Sequence, residues 1–151
     1  RGQRFRTDNG AMIIDQSYNA NPASTRAAID ELADCDGYRI LVMGDLSVEH
    51  YTCENEGAQM HRELGEYAHA AGIDRVLTSG TMSANVHTGF TRDSEHFIDK
   101  QELIAWLTPH LKPGVVVLVK GSLITGMNEV VSACISEKTE TPIRAATKEG
   151  F

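Results

Sequence analysis

Paired cysteines, clustered basic residues and long apolar runs are all missing from this 151-residue chain. Its cysteines, Cys35, Cys53 and Cys134, are widely separated and odd in number. Without a Cys-x-x-Cys pair, a zinc site or disulfide framework is not expected, and reduced thiols are. The longest apolar run, 115–119, is far shorter than the roughly 20 residues a membrane helix needs. No signal-peptide pattern is read at the start, and the expected location is cytoplasmic. Lys and Arg number 14 against 21 Asp and Glu, a net charge of −7. That balance excludes a general nucleic-acid-binding face, which needs clustered cations. It leaves room for a local phosphate site.

Several chemical motifs are absent as well. There is no Walker A sequence and no Gly-x-Gly-x-x-Gly, so the chain does not cradle a triphosphate by itself. Gly44-Asp45 lacks the further glycines of a dinucleotide fingerprint. The six histidines form no His-Glu-x-x-His or His-x-His pair. His61 and His69 are expected on the surface of one helix, with His87, His96 and His110 scattered, and no metal site is expected. Ser17 lacks the Gly-x-Ser-x-Gly elbow of a hydrolase. The first residue is Arg rather than Met, and the chain is expected to be a piece of a longer protein.

What is present reads as one α/β domain. A hydrophobic content of 41% and a charged content of 23% are ordinary for a globular chain of this length. Strands are predicted over 11–15, 39–44, 75–78, 96–98 and 115–120. Short, almost wholly apolar runs among them fit parallel strands buried on both faces. Helices are predicted over 22–33, 55–71, 100–111 and 125–136. In the second, Met60, Leu64, Tyr67, Ala68 and Ala71 fall at helical spacing, and Gly72 supplies the stop. Met127, Val130, Val131 and Cys134 make an apolar stripe that reads as core. Repeated β–α alternation implies a Rossmann-like, mostly parallel, doubly wound sheet with helices on both faces. The domain is expected over 1–136, and the polar, aperiodic 137–151 as a flexible tail.

In such a sheet the loops after the strands' C-terminal ends form the ligand edge. Four loops qualify: 15–21, 44–56, 79–83 and 120–122. The first is the densest in hydrogen-bonding groups, running Asp15-Gln16-Ser17-Tyr18-Asn19-Ala20-Asn21 into Pro22. Pro22 suits a first helical turn, where its missing N–H costs nothing. An ordinary βα turn uses the same residue types, so the pattern alone allows either a turn or a ligand site. Lys120, Gly121 and Ser122 can present an ammonium, a backbone N–H and a hydroxyl to an anion. Equally, Lys120 can snorkel off the strand end while Gly121 shapes the turn.

Together, Ser-Tyr-Asn-Ala-Asn-Pro at 17–22, Gly44-Asp45, Ala-Ala-Gly-Ile-Asp-Arg-Val-Leu at 70–77 and Val-Leu-Val-Lys-Gly-Ser at 117–122 resemble the C-terminal domain of the Mur ligases. Within them the 17–22 loop resembles the branch that adds D-alanyl-D-alanine. The resemblance implies an ATP-dependent ligase forming a C–N bond in peptidoglycan synthesis, and so in cell wall biogenesis, cell shape and division. ATP phosphorylates the carboxylate of UDP-N-acetylmuramoyl-tripeptide, and the amine of D-alanyl-D-alanine attacks the acyl phosphate. ATP and Mg2+ are held mainly by a central P-loop domain, so this closing domain alone is expected to be inactive, with preceding domains of the same chain as its partners.

The resemblance implies nucleotide contacts at Arg1, Asp15, Gln16, Tyr18, Asn19 and Asn21. It implies substrate contacts at Asp45, Lys120, Gly121 and Ser122, and no catalytic residue within the chain. Some positions depart from the family pattern. The loop usually reads Asp-Asp-Ser-Tyr, whereas the second acid here is Gln16. The usual Glu-Leu-Gly after Gly-Asp-Met is absent, and 46–56 is longer. Leu123 stands where Arg usually follows Lys-Gly-Ser. Alternatives are therefore a related ligase for another amino acid or dipeptide, and a free-standing nucleotide-binding or interaction module.

Overall fold

The computed structural model describes residues 2–135. Arg1 and the 137–151 tail, both subjects of expectations above, lie outside the described residues. One sheet holds β1 (Gln3–Arg6), β2 (Met12–Gln16), β3 (Tyr38–Met43), β4 (Arg75–Ser79), β5 (Asp93–Phe97) and β6 (Val115–Lys120), in the order β1-β2-β6-β3-β4-β5. All neighbours pair in parallel except β1, which runs antiparallel to β2. The helices are α1 (Pro22–Ala33), α2 (Glu54–Ala70), α3 (Val86–Gly89), α4 (Lys100–Leu107) and α5 (Asn128–Cys134).

Strand alternation divides the apolar residues between two cores. Met12, Ile14, Leu41, Met43, Val116 and Leu118 pack with Ile29 and Leu32 of α1 and Leu64 and Ala68 of α2. Ala11, Ile13, Ile40, Val42, Val117 and Val119 pack with Leu103 and Leu107 of α4 and Val130 and Val131 of α5. Every residue of β6 is buried, as expected of a strand covered on both faces. Each such side chain contributes about 1.5–3 kcal/mol relative to exposure, so the central strands hold the sheet together.

The same arrangement creates the ligand edge. Strands β2 and β3 are followed by helices on the first face, whereas β6, lying between them, is followed by α5 on the second. The chain leaves β6 toward the opposite face from both neighbours, so the C-terminal ends of these strands form the switch point at which open α/β sheets bind ligands.

Several predicted boundaries shift for physical reasons. Strand β1 was not predicted, because Gln3-Arg4-Phe5-Arg6 is a polar edge strand with no apolar run. The strand predicted at 96–98 runs instead over Asp93–Phe97, another polar edge. Helix α4 ends at Leu107 rather than 111, passing into a 3-10 turn, Thr108–His110, in which Pro109 has no N–H to donate. Helix α5 begins at Asn128 rather than 125, after a 3-10 turn and left-handed Gly126 with φ 69°. The segment after 79–83 carries a 3-10 turn, Met82–Asn85, and then α3. Both lie close on α2: a Cβ at Gly65 would strike the Val86 carbonyl, and one at Gly89 the Arg62 carbonyl.

Candidate functional site

Strands β2 and β6 end side by side, with Gln16 the register partner of Lys120. Alternation puts Gln16 on the face of Met12 and Ile14, and Lys120 on that of Val116 and Leu118, so both turn toward α1. Lys120 is only 4% exposed. Its Nζ donates to Gln16 Oε1 at 3.3 Å, and Gln16 Nε2 donates to Glu31 Oε1 at 2.7 Å. The other Glu31 oxygen takes a charged hydrogen bond from Arg4 at 3.1 Å. Burial draws the Lys120 pKa below that of a free lysine, while the Glu31 charge opposes the shift. Asp15, one residue earlier, belongs to the other face. Its Oδ1 accepts from Ser17 N at 3.0 Å and Ser17 Oγ at 2.6 Å, folding the carboxylate back onto its own loop.

Tyr18 and Asn19 stand exposed at the tip of this loop. Tyr18, at 70% exposure, has a ring face open to stacking. Asn21 serves the fold itself. Its Oδ1 accepts from Ser24 N at 2.7 Å, and its own N–H donates to Ser24 Oγ at 3.1 Å. That capping box starts α1 with Pro22 in its first turn.

At the end of β3, the Gly44 N–H donates to the Lys120 carbonyl at 2.9 Å. A Cβ on Gly44 or on Gly121 would run into the Met127 side chain, so packing accounts for both glycines. Asp45 Oδ1 accepts from Ser83 N at 2.8 Å, and Oδ2 from Thr81 N and Met82 N at 3.1 Å each. Its carboxylate thereby ties the β3 loop to the β4 loop. Ser122 Oγ lies 3.5 Å from the Asp45 carbonyl, and the Ser122 carbonyl accepts from Thr125 Oγ1 at 2.6 Å. Lys100 braces this loop from α4, donating to the Thr125 carbonyl at 2.9 Å and pairing with Glu129 at 3.2 Å.

The histidines depart from expectation. His61 is fully buried. It falls three and seven residues before Leu64 and Ala68, and that spacing places it on the inner stripe of α2. Its Nε2 accepts the Leu46 N–H at 3.0 Å, and Nδ1 lies 2.7 Å from the Gly57 carbonyl. A backbone N–H can only donate, so Nε2 carries the lone pair and Nδ1 the proton. His87 and His96 are not scattered: His87 Nε2 and His96 Nδ1 both lie 2.7 Å from Thr78 Oγ1. One hydroxyl proton serves one ring, so the other ring must donate. Burial, the largest influence on each, lowers the pKa of His61, His87 and His96.

Of the expected contacts, the fold joins Gln16 to Lys120 and sets Tyr18, Asn19, Gly121 and Ser122 along the same edge. Asn21 is turned to its helix and Asp45 to 81–83. Sequence reasoning passed over Glu31 and Arg4. The inward phase of Gln16 and the position of Glu31 beside Leu32 on α1 are the signal for the first. Arg4 depended on the unpredicted β1. Val48, Ile98, Leu123 and Ile124 are further exposed apolar residues in loops after β3, β5 and β6. No helix among the described residues is long and apolar enough to cross a membrane.

Known proteins share this framework. The UDP-N-acetylmuramoyl-tripeptide–D-alanyl-D-alanine ligase of Escherichia coli is 43% identical over 124 residues, covering 81% of this chain and 26% of its own length. Its counterpart in Haemophilus influenzae is 36% identical over 126 residues, covering 80% and 26%. The chain thus spans about a quarter of the length of these curated relatives. A MurF crystal structure from Acinetobacter baumannii superposes with a TM-score of 0.73 at 27% identity, over 85% of this chain and 28% of that one. A Thermotoga maritima MurF ligase in complex with ADP shares the fold, with a TM-score of 0.72 at 23% identity over 85% and 29%. The family described as Mur ligase, glutamate ligase domain, matches residues 1–123. With that match over most of its length, and the doubly wound sheet beneath it, the chain belongs to the Mur ligase family.

Proposed function

We propose that this chain is the C-terminal domain of an ATP-dependent ligase that joins D-alanyl-D-alanine to UDP-N-acetylmuramoyl-tripeptide. The observation that carries the proposal is the 43% identity with the Escherichia coli enzyme over 124 residues, a span that takes in most of this chain. In this reading ATP phosphorylates the tripeptide carboxylate, the dipeptide amine attacks the acyl phosphate, and ADP and phosphate leave. Tyr18 and Asn19 meet the nucleotide's base and ribose from the exposed loop tip, with Asp15, Gln16 and Asn21 behind them. Lys120, with Gly121 and Ser122, meets an oxyanion. Arg1 is assigned to the nucleotide phosphates on the resemblance alone, and Asp45 shapes the loops around the substrate.

Among the described residues no cluster of three or more His, Cys, Asp or Glu side chains suits a metal ion. On the family resemblance, Mg2+ and the triphosphate cradle belong to a preceding P-loop domain. The exposed Ile98, Leu123 and Ile124 suit closure of that domain over the edge, and the place of work is the cytoplasm. The test is an assay of phosphate release by the enzyme carrying this chain, given ATP, UDP-N-acetylmuramoyl-tripeptide and either D-alanyl-D-alanine or single amino acids. Dipeptide-dependent turnover is expected, and a preference for another acceptor sinks the proposal. One observation favours that second outcome: Leu123, apolar and 59% exposed, stands where the family pattern has an arginine.

A further inference from the structure

The Lys120 ammonium is held by an amide and not by a carboxylate. An amide at position 16 can present either its oxygen or its nitrogen to Lys120, and only the oxygen attracts an ammonium. Glu31 decides between them. A carboxylate accepts and cannot donate, so it takes the Gln16 Nε2–H at 2.7 Å and leaves Oε1 facing Lys120 at 3.3 Å. Arg4 fixes the carboxylate in turn through its second oxygen at 3.1 Å.

We propose that Glu31 is a positioning residue, acting through the Gln16 amide to hold the Lys120 ammonium at the ligand edge for a phosphate or carboxylate oxyanion. The proposal rests on the ligase reading for its substrate and on the four-residue chain of contacts for its mechanism. A glutamate at position 16 would pair with Lys120 directly. Gln16 fixes the ammonium without supplying a countercharge, and it is the one side-chain acceptor that Nζ has among the described residues. The countercharge sits one residue further back, at Glu31, where it supports protonation of Lys120 without competing for it. Facing the Lys120 ammonium are Gln16 from β2 and, behind it, Glu31 from α1 with its partner Arg4 from β1.

Titration of Lys120 in the 151-residue chain, followed by NMR with lysine labelled at Cε, tests the relay directly. E31Q removes the supporting charge and frees the amide to flip, so Lys120 should titrate at lower pH with the thermal midpoint little changed. Adding Q16E to E31Q should raise the titration again, because a carboxylate then meets the ammonium; a packing defect gives no such rescue. An unchanged titration in E31Q, or no rescue in the double variant, overturns the relay. In the enzyme carrying this chain, E31Q should lower kcat/KM about tenfold, roughly 1.4 kcal/mol of transition-state stabilisation. A change confined to ATP marks a phosphate as the oxyanion's source, and one confined to the acceptor marks its carboxylate. Unchanged kcat/KM for both removes the substrate role. Absence of ligation in the unsubstituted enzyme overturns the ligase reading, while the NMR titration still decides the relay.

Discussion

His61 accepts the Leu46 N–H through Nε2, a bond that exists only while the ring is neutral. Burial depresses its pKa, and it does the same at His87 and His96, where Thr78 joins the two rings. The unfolded chain takes up these protons near the ordinary histidine value of 6.5, before the folded chain does. Stability from these groups is therefore complete above pH 6.5 and is lost as the pH falls through it toward the folded values. Thermal unfolding followed between pH 8 and pH 5 should give a midpoint that holds and then drops on acidification. A midpoint that rises on acidification contradicts the assignment. At this scale Gln16, Tyr18 and Lys120 were legible as edge residues from their place at the C-terminal ends of predicted strands. The buried histidines were legible only in part: the spacing of His61 from Leu64 and Ala68 pointed inward, but histidine is polar enough to be read outward. The Thr78 pair depends on strand and helix contacts that no local pattern encodes.

Among the elements, α2 and α3 meet at a distance set by two glycines. Gly65 faces the Val86 carbonyl and Gly89 the Arg62 carbonyl, so the helices touch backbone to backbone. In an exposed helix, Gly→Ala gains about 1 kcal/mol from propensity. Here the added methyl meets a carbonyl that cannot swing aside, and overpacking of this kind costs about 1–3 kcal/mol or more. Repulsion should win, with G65A losing about 1–2 kcal/mol net in urea unfolding; a gain in stability would show that the two segments slide apart freely. Helix α1 was legible to the residue, because Pro22 marks its first turn and Ala27, Ala28, Ile29 and Leu32 fall at helical spacing. Strand β6 was equally plain from its unbroken apolar run. Strands β1 and β5 were obscured because edge strands bury little, and α3 because four residues cannot display a helical period.

For the molecule as a whole, the loops after β2, β3, β4 and β6 share one edge, and among the described residues they furnish scattered polar groups and no glycine-rich phosphate loop. Tyr18 offers a stacking face and Lys120 one ammonium, too little to hold a triphosphate against its hydration. Calorimetry of the 151-residue chain with ATP should therefore detect weak binding or none, and micromolar affinity would contradict the division of labour proposed above. The doubly wound class was legible from β–α alternation, whereas the strand order was not. Insertion of β6 between β2 and β3 follows from the long return through α4, which periodicity does not report.

Strand β1 runs against β2 and pairs Gln3 with Asp15, which places Gly2 against Gln16 and the Asp15 carbonyl. The two ends of this short hairpin are therefore unequal as vantage points. A fluorophore carried at the exposed Gln3 position would sit near the Arg4–Glu31–Gln16–Lys120 chain and should change its emission as an anion arrives. The same dye at the Gly10 turn, beside Pro113 at the far end of the sheet, would stay dark to that event and report only unfolding. One hairpin thus carries both a sensor position and its built-in reference.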